Sequence, residues 1–263
     1  MGALFLQQLI LSVVIAGLWI GGVTLLSERL GSRLGGMISN LPSTILVSLL
    51  FIGITQSPEF AAQATVTVPL GMTISTLFLF AFILLIPLGL GWALAGSITT
   101  WVGFAILSSF FQDTGRLTWT LIYFAVAIGS WLIAERVLKI QSAPKTGRRY
   151  TWWQVLIRAA FAGSVVGTAV LIGRSGSAFW TGIFSTFPAV MLSSMVILTL
   201  SAGPAFARAL GKIMLLASTN IIIYGHFTGL LFPRIGLAWG SIISFIIASL
   251  WVWLLKPLFD RSK

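Results

Sequence analysis

The sequence predicts an all-α, polytopic membrane protein of about nine transmembrane helices arranged as an inverted 4+1+4 repeat. Three observations lead there: a near-absence of charge, a regular succession of apolar runs, and a self-similarity at one fixed offset. The 263 residues hold 16 Lys and Arg and 5 Asp and Glu, so 8% are charged while 57% are hydrophobic. A soluble domain carries roughly a quarter charged residues. The excess of basic residues, a net +11, lies in short clusters between apolar runs. That distribution suits control of membrane topology rather than tracking of phosphates, so the partner implied is the lipid bilayer and not nucleic acid. With no cysteine, disulfides and thiolate metal sites are excluded. No phosphate-binding loop and no His/Asp/Glu cluster with metal spacing occurs, so neither a cofactor nor a metal is expected. The first apolar stretch lacks a basic leader and a small-residue cleavage site, and reads as a retained span.

A spanning helix needs roughly 20 predominantly apolar residues. Apolar runs broken by charge, Pro or Gly give nine spans: 4–26, 37–55, 66–86, 90–111, 117–138, 152–172, 179–201, 209–232 and 237–257. The 87–90 turn, Pro87-Leu88-Gly89-Leu90, is the boundary without a charge, but a continuous 66–111 is too long for one crossing. With the N-terminus outside, Arg29, Arg33, Arg136, Lys139, Lys145, Arg148, Arg149, Arg208, Lys212, Lys256, Arg261 and Lys263 fall on the cytoplasmic side. Arg158 lies near that side, and only Arg116, Arg174 and Arg234 fall outside. The bias obeys the positive-inside rule and sets the N-terminus out and the C-terminus in, across the cell's inner (plasma) membrane.

Shifting the chain by 146 residues, the separation of Gly17 from Gly163, superposes 8–87 on 154–233 without a gap. Gly21 falls on Gly167, Gly36 on Gly182, Pro42 on Pro188, Pro58 on Pro204 and Pro87 on Pro233. Glycines and prolines in one register are more telling than apolar identities, which recur by chance in any membrane chain. Spans 1–4 map onto spans 6–9 and span 5 is left over, so an odd number of crossings inverts the second copy. The organisation is therefore 1–111 as a first four-helix unit, 112–150 as a linking helix and basic loop, and 151–263 as the inverted second unit. Inverted repeats of this kind recur in secondary transporters, with the site at midplane where the halves meet.

Two motifs occur in both copies. Gly17-x-x-x-Gly21 and Gly163-x-x-x-Gly167 put small residues four apart, which lets helix backbones approach closely in lipid. Gly36-x-x-Ser39-Asn40-Leu41-Pro42 and Gly182-x-x-Ser185-Thr186-Phe187-Pro188 read as helix breaks. Proline fits the start of a helix, and Ser, Asn and Thr upstream of it are good N-caps. Each copy should unwind over 36–41 or 182–187 and then begin a half-helix near its proline. The N-terminus of such a half-helix presents free N–H groups and a positive dipole end to a negative ligand. Ser43, Thr44, Ser193 and Ser194 offer further hydroxyls. The plainer alternative is that both prolines start ordinary spans at the lipid–water interface.

Arg158, Asn220 and His226 are the strongest polar residues inside the spans. Arg158 is either an anion contact or a side chain that snorkels to the interface. Asn220 and His226 are six residues apart in span 8, on different helix faces. The five carboxylates, Glu28, Glu59, Asp113, Glu135 and Asp260, all fall near span ends, which leans away from cationic substrates. The binding residues expected are thus Ser39, Asn40, Pro42, Ser43, Thr44, Arg158, Ser185, Thr186, Pro188, Asn220 and His226, serving a small anionic or neutral solute.

Two resemblances bear on function. Gly173-Arg174-Ser175-Gly176 and Gly225-His226-x-x-Gly229 resemble the Ser and His elements of the rhomboid intramembrane proteases. The likeness implies a Ser–His dyad, but His226 is the only histidine and the second His of that family has no equivalent. The Gly-x-x-Ser-x-x-Pro start of span 2 resembles small bacterial inner-membrane proteins of the GlpM type. That likeness implies a membrane scaffold, here as a fused inverted pair. The reading that joins most observations is a secondary transporter or facilitator, not an enzyme. Lipid or lipid-phosphate translocation is the alternative, with Arg158 and Arg174 facing a lateral groove and Trp152, Trp153 and Trp180 at headgroup level. A membrane scaffold is a further one, and the unpaired fifth span leaves a face for homo-oligomer formation.

Overall fold

The computed structural model describes residues 2–29, 41–141 and 151–261. Nearly all of these are helical, and no strand occurs among them. The helices are α1 (Ala3–Arg29), α2 (Ser43–Thr55), α3 (Pro58–Ala64), α4 (Val68–Leu85), α5 (Leu90–Ser108), α6 (Arg116–Leu132), α7 (Trp152–Arg174), α8 (Ala178–Ser185), α9 (Ala189–Ala202), α10 (Pro204–Ala217) and α11 (Thr219–Arg261). A 3₁₀ turn, Thr65–Thr67, joins α3 to α4, and a π-turn, Ile133–Val137, continues α6.

Among the described residues, seven helical runs are long and apolar enough to cross a membrane. Helix α2 is apolar but has 13 residues, about 20 Å, so it does not span alone. The opposite problem arises at the other end of the chain. Helix α11 has 43 residues, roughly twice the length needed to cross about 30 Å of hydrocarbon. Gly236 resolves it, because φ 79 and ψ 174 there break the helix in a conformation few residues other than glycine adopt. The chain then turns back on itself: a Cβ on Gly240 would lie 2.7 Å from the Phe232 ring, far closer than eight residues of straight helix permit. Large apolar side chains are exposed around the outer helices, among them Trp92, Phe110, Leu117, Trp239 and Leu254. A surface of this kind is stable against lipid and not against water, and the chain has the form of a multi-pass membrane protein.

Packing is organised around two contacts. The 58–88 run is the central one, 72% buried, against 22% for the 90–111 run on the outside. Helix α1 lies along α7, and the paired glycines set the contact. A Cβ on Gly17 would sit 3.3 Å from the Ala159 carbonyl oxygen, and one on Gly163 would sit 2.6 Å from the Val13 carbonyl oxygen. Gly21 touches Ala159 and Val155, while Gly167 touches Val13 and Leu9. Each contact made by a glycine of α1 recurs with the roles of the two helices exchanged.

Several element boundaries differ from the expected ones. The third and eighth apolar segments begin at Pro58 and Pro204, earlier than 66 and 209. Ser57 accepts from the Phe60 N–H at 3.1 Å, and Gly203, at φ 90, turns the chain into Pro204. Glu59, expected near a span end, and Arg208 and Lys212, expected at the cytoplasmic side, therefore sit inside helices. Lys212 is 2% exposed and reaches Glu135 Oε2 at 2.7 Å while donating to the Ile140 carbonyl at 2.6 Å. A buried ammonium is tolerable with such partners, and they come from a segment far away along the chain.

Candidate functional site

The two prolines break their segments in the same way. At Pro42 φ is −76 and ψ is 54; at Pro188 they are −79 and 49. Both are inverse γ-turns, closed by Ser43 N–H to Leu41 C=O at 2.7 Å and by Ala189 N–H to Phe187 C=O at 2.8 Å. The following helices start one residue after each proline. Their first regular bonds come from Leu46 N–H to Pro42 C=O and from Leu192 N–H to Pro188 C=O. The N–H groups of Thr44 and Ile45, and of Val190 and Met191, therefore have no carbonyl within their own helix to reach.

These four residues line one cavity. About 80 Å³ of it is open to the centres of water-sized molecules, room for roughly five to eight waters or a small solute. Of the residues expected at a site, Pro42, Ser43, Thr44, Arg158, Ser185, Thr186, Pro188 and Asn220 all line it. Arg158 is 5% exposed and Asn220 fully buried, so a guanidinium and a carboxamide lie in a largely apolar wall, with no Asp or Glu among the described lining residues. Ser39 and Asn40 lie outside the described residues. His226 is elsewhere: its Nδ1 is 2.9 Å from the Ile222 carbonyl and its Nε2 is 3.4 Å from Thr120 Oγ1. Asn220 faces the cavity and His226 faces α6, as their spacing requires.

Three expectations about the breaks change. Residues 182–185 are helical, so the unwound stretch is only Thr186–Pro188. Ser185 and Thr186 are not caps of α9. Their hydroxyls donate backwards, to Gly182 C=O at 2.8 Å and Ile183 C=O at 2.8 Å, finishing α8 instead. Ser193 and Ser194 donate to Val190 C=O and do not reach the cavity. Gly182 is needed for packing, since a Cβ there would collide with the Ala64 carbonyl and Thr67 Oγ1. The exposed carbonyl at the break is satisfied from α4, where Ser75 Oγ donates to Thr186 C=O at 2.9 Å.

Sequence reasoning missed the contributions of α1 and α4 to the lining, Ile20, Val23, Thr24 and Met72, and that of Ser218. Met72 and Ser218 stand at the same 146-residue offset as the two prolines, a signal present in the chain but carried by unlike side chains. Ser218 is also tied to α6 through a 3.0 Å hydrogen bond shared with the Tyr123 hydroxyl.

A second, more open concavity of about 460 Å³ lies between α5 and the α7–α8 corner, lined by Trp101, Ile106, Ser175, Trp180 and Phe184 among others. Its wall is almost wholly apolar. Arg158 lines the central cavity and not this groove, and Arg174 packs on the Phe5 ring at 4.4 Å. Of the three tryptophans expected at headgroup level, Trp180 lines this groove, and Trp152 and Trp153 are exposed at the other end of α7. The Ser–His pairing implied by the rhomboid likeness does not form here: Ser175 Oγ donates to Ile172 C=O at 2.7 Å, and both His226 nitrogens face other groups.

No protein-family model, curated protein or solved structure matches the chain.

Proposed function

We propose that the protein is a secondary transporter or facilitator for a small anionic or neutral solute, bound in the cavity between the two proline breaks. The observation that carries this reading is the meeting of the two γ-turned helix starts and the buried Arg158 around one cavity. Two dipole ends and the Arg158 guanidinium there favour a group with negative charge or strong acceptor oxygens. The same reading takes the chain as nine spans, N-terminus out and C-terminus in, folded as inverted units of four about a linking fifth. The exchanged glycine contacts of α1 and α7 support that arrangement, because a two-fold axis makes residue i touch j and j touch i. The Gly236 reversal supports it too, by dividing one helical run into two crossings. Rocking of one unit on the other along the α1–α7 contact would then expose the cavity to each side in turn.

The test is uptake into proteoliposomes of a panel of short carboxylates, inorganic phosphate and neutral polyols. Arg158→Gln should lower the rate for the accepted anion roughly 10- to 100-fold, the loss of a charged hydrogen bond or two. Ser12→Ala is the control, because Ser12 stands at the equivalent place in the first half and bonds only Leu9 C=O of its own helix, at 2.7 Å. Uptake indifferent to Arg158→Gln would sink the site.

Lipid or lipid-phosphate translocation remains the second reading, favoured by the lateral groove beside Trp180 and Ser175. It predicts lipid scrambling in the same vesicles, lost on Trp180→Ala and unaffected by Arg158→Gln.

A further inference from the structure

A pair of aromatic rings in contact, Phe187 and Trp101, stands between the central cavity and the lateral groove. Phe187 lines the cavity, and Trp101 and Phe184 line the groove. Trp101 meets Phe187 edge to face with ring centroids 4.9 Å apart, and meets Phe184 in the same way at 5.3 Å. The two sides of this partition differ in kind. On the cavity side stand Arg158 and the two helix starts, with no Asp or Glu among the described lining residues. On the groove side the wall is almost wholly apolar, and its 460 Å³ is the size of a small-molecule site. The groove opens outward past Val102 and Ile106, which are 44% and 59% exposed on the lipid-facing flank of α5.

Two properties suit the partition to opening. Phe187 belongs to the unwound stretch Thr186–Pro188, and the proline after it disfavours α backbone. Its ring is therefore free of the χ1 restriction that a preceding helical turn imposes. Trp101 is 4% exposed, and its indole N–H has no hydrogen-bond acceptor. The phenylalanine rings beside it are weak acceptors. A buried donor without an oxygen to meet is costly, and an oxygen of a bound molecule at the partition would satisfy it.

We propose that the solute is a small anion bearing one hydrocarbon chain. Its head sits at Arg158 in the cavity, and its chain passes between Phe187 and Trp101 into the groove. The proposal rests on the transport reading for the anion site and adds the class of substrate. An apolar groove beside an anion site selects for a chain, because each methylene buried strengthens binding roughly threefold to fourfold. Entry from the side keeps the chain out of water throughout.

Alkylsulfonates are the probe, since they stay ionised and do not cross a bilayer as the neutral acid. The full chain in lipid nanodiscs would be titrated with methanesulfonate, butanesulfonate and octanesulfonate, and affinity read from the rise in unfolding temperature. Octanesulfonate should bind roughly tenfold or more tighter than methanesulfonate. Val102→Trp fills the groove from its lipid side. It should weaken octanesulfonate roughly tenfold or more and leave methanesulfonate within about twofold. Phe104→Trp, exposed on the same helix but outside the groove lining, should change neither. Arg158→Gln should weaken both roughly tenfold or more. Monodisperse elution of each variant checks the fold. Octanesulfonate binding that Val102→Trp leaves unchanged would overturn the place of the chain in the groove. Binding that ignores Arg158→Gln would overturn the link to the cavity. If both sulfonates depend on Arg158 and neither on Val102, the proposal falls and the anion site stands. If neither binds while the uptake panel is still carried in an Arg158-dependent way, the proposal again falls alone. If uptake too is indifferent to Arg158→Gln, the transport reading falls with it.

Discussion

Set at the offset that carries Pro42 onto Pro188, the two proline breaks share a backbone conformation and differ in the side chains around them. The γ-turns agree to within a few degrees, and the helices after them begin at corresponding residues, Ser43 and Ala189. Around that common frame the side chains part company. Arg158 stands opposite Ser12, Asn220 opposite Ile74, Tyr224 opposite Phe78, and Lys212 opposite Val66. Backbone geometry is thus duplicated where the chain must break, because proline and glycine dictate it. Among the described residues the buried charge of the cavity wall, Arg158, comes from the second copy of the pattern, while Thr24, Ser43 and Thr44 bring hydroxyls from the first. A proline break thus keeps its geometry when the side chains around it are exchanged.

The largest effect expected on stability comes from the contact where the halves meet. Gly163→Ala should cost about 2–3 kcal/mol, since the new methyl meets the Val13 carbonyl, which cannot move aside without moving α1. Gly17→Ala should stay within about 1 kcal/mol, because the 3.3 Å approach to Ala159 is nearly tolerable and alanine favours a helix. Unfolding titrations in mixed micelles measure both, and equal losses would remove the asymmetry claimed for this contact. Next comes Lys212→Met, with a loss of about 2 kcal/mol in the same assay. Glu135 would lose its partner, and its partial exposure, 33%, tempers the cost below that of a fully buried pair. The smallest effects compare two buried rings at the same offset. Phe78→Tyr should destabilise by about 1–2 kcal/mol through an unpaired hydroxyl, whereas Tyr224→Phe should cost about 0.5–1 kcal/mol through loss of the hydroxyl that meets Thr228 and Ser241. Equal losses would erase the difference between the two faces.

Much of this was legible in the chain. The apolar runs were readable because a bilayer imposes its demand locally, about 20 residues at a time. Proline and glycine positions were readable because they constrain φ and hydrogen bonding wherever they stand. The partnership of Thr186 was less so. Its place beside a break was visible, but whether its hydroxyl capped the next helix or finished the last depended on Ser75 and Gly71 pressing from α4. Lys212 could be assigned to the cytoplasmic side but not to a pair, because its partner, Glu135, lies in another part of the chain. His226 and Asn220 seemed equal candidates, and only the packing of α11 sent one to the cavity and the other toward Thr120.

By itself, then, the sequence determined that the chain is helical and apolar, that Pro42 and Pro188 interrupt its helices, and that its glycines and prolines recur at one offset. Those properties follow from short-range physics: hydropathy over a turn or a span, and the dihedral limits of two residue types. The tertiary structure decided that both breaks face one cavity, that Arg158 is buried in its wall, and that Lys212 meets Glu135. Such facts depend on which helix faces are pressed together, and burial or pairing across distant segments leaves no local mark in the order of the residues.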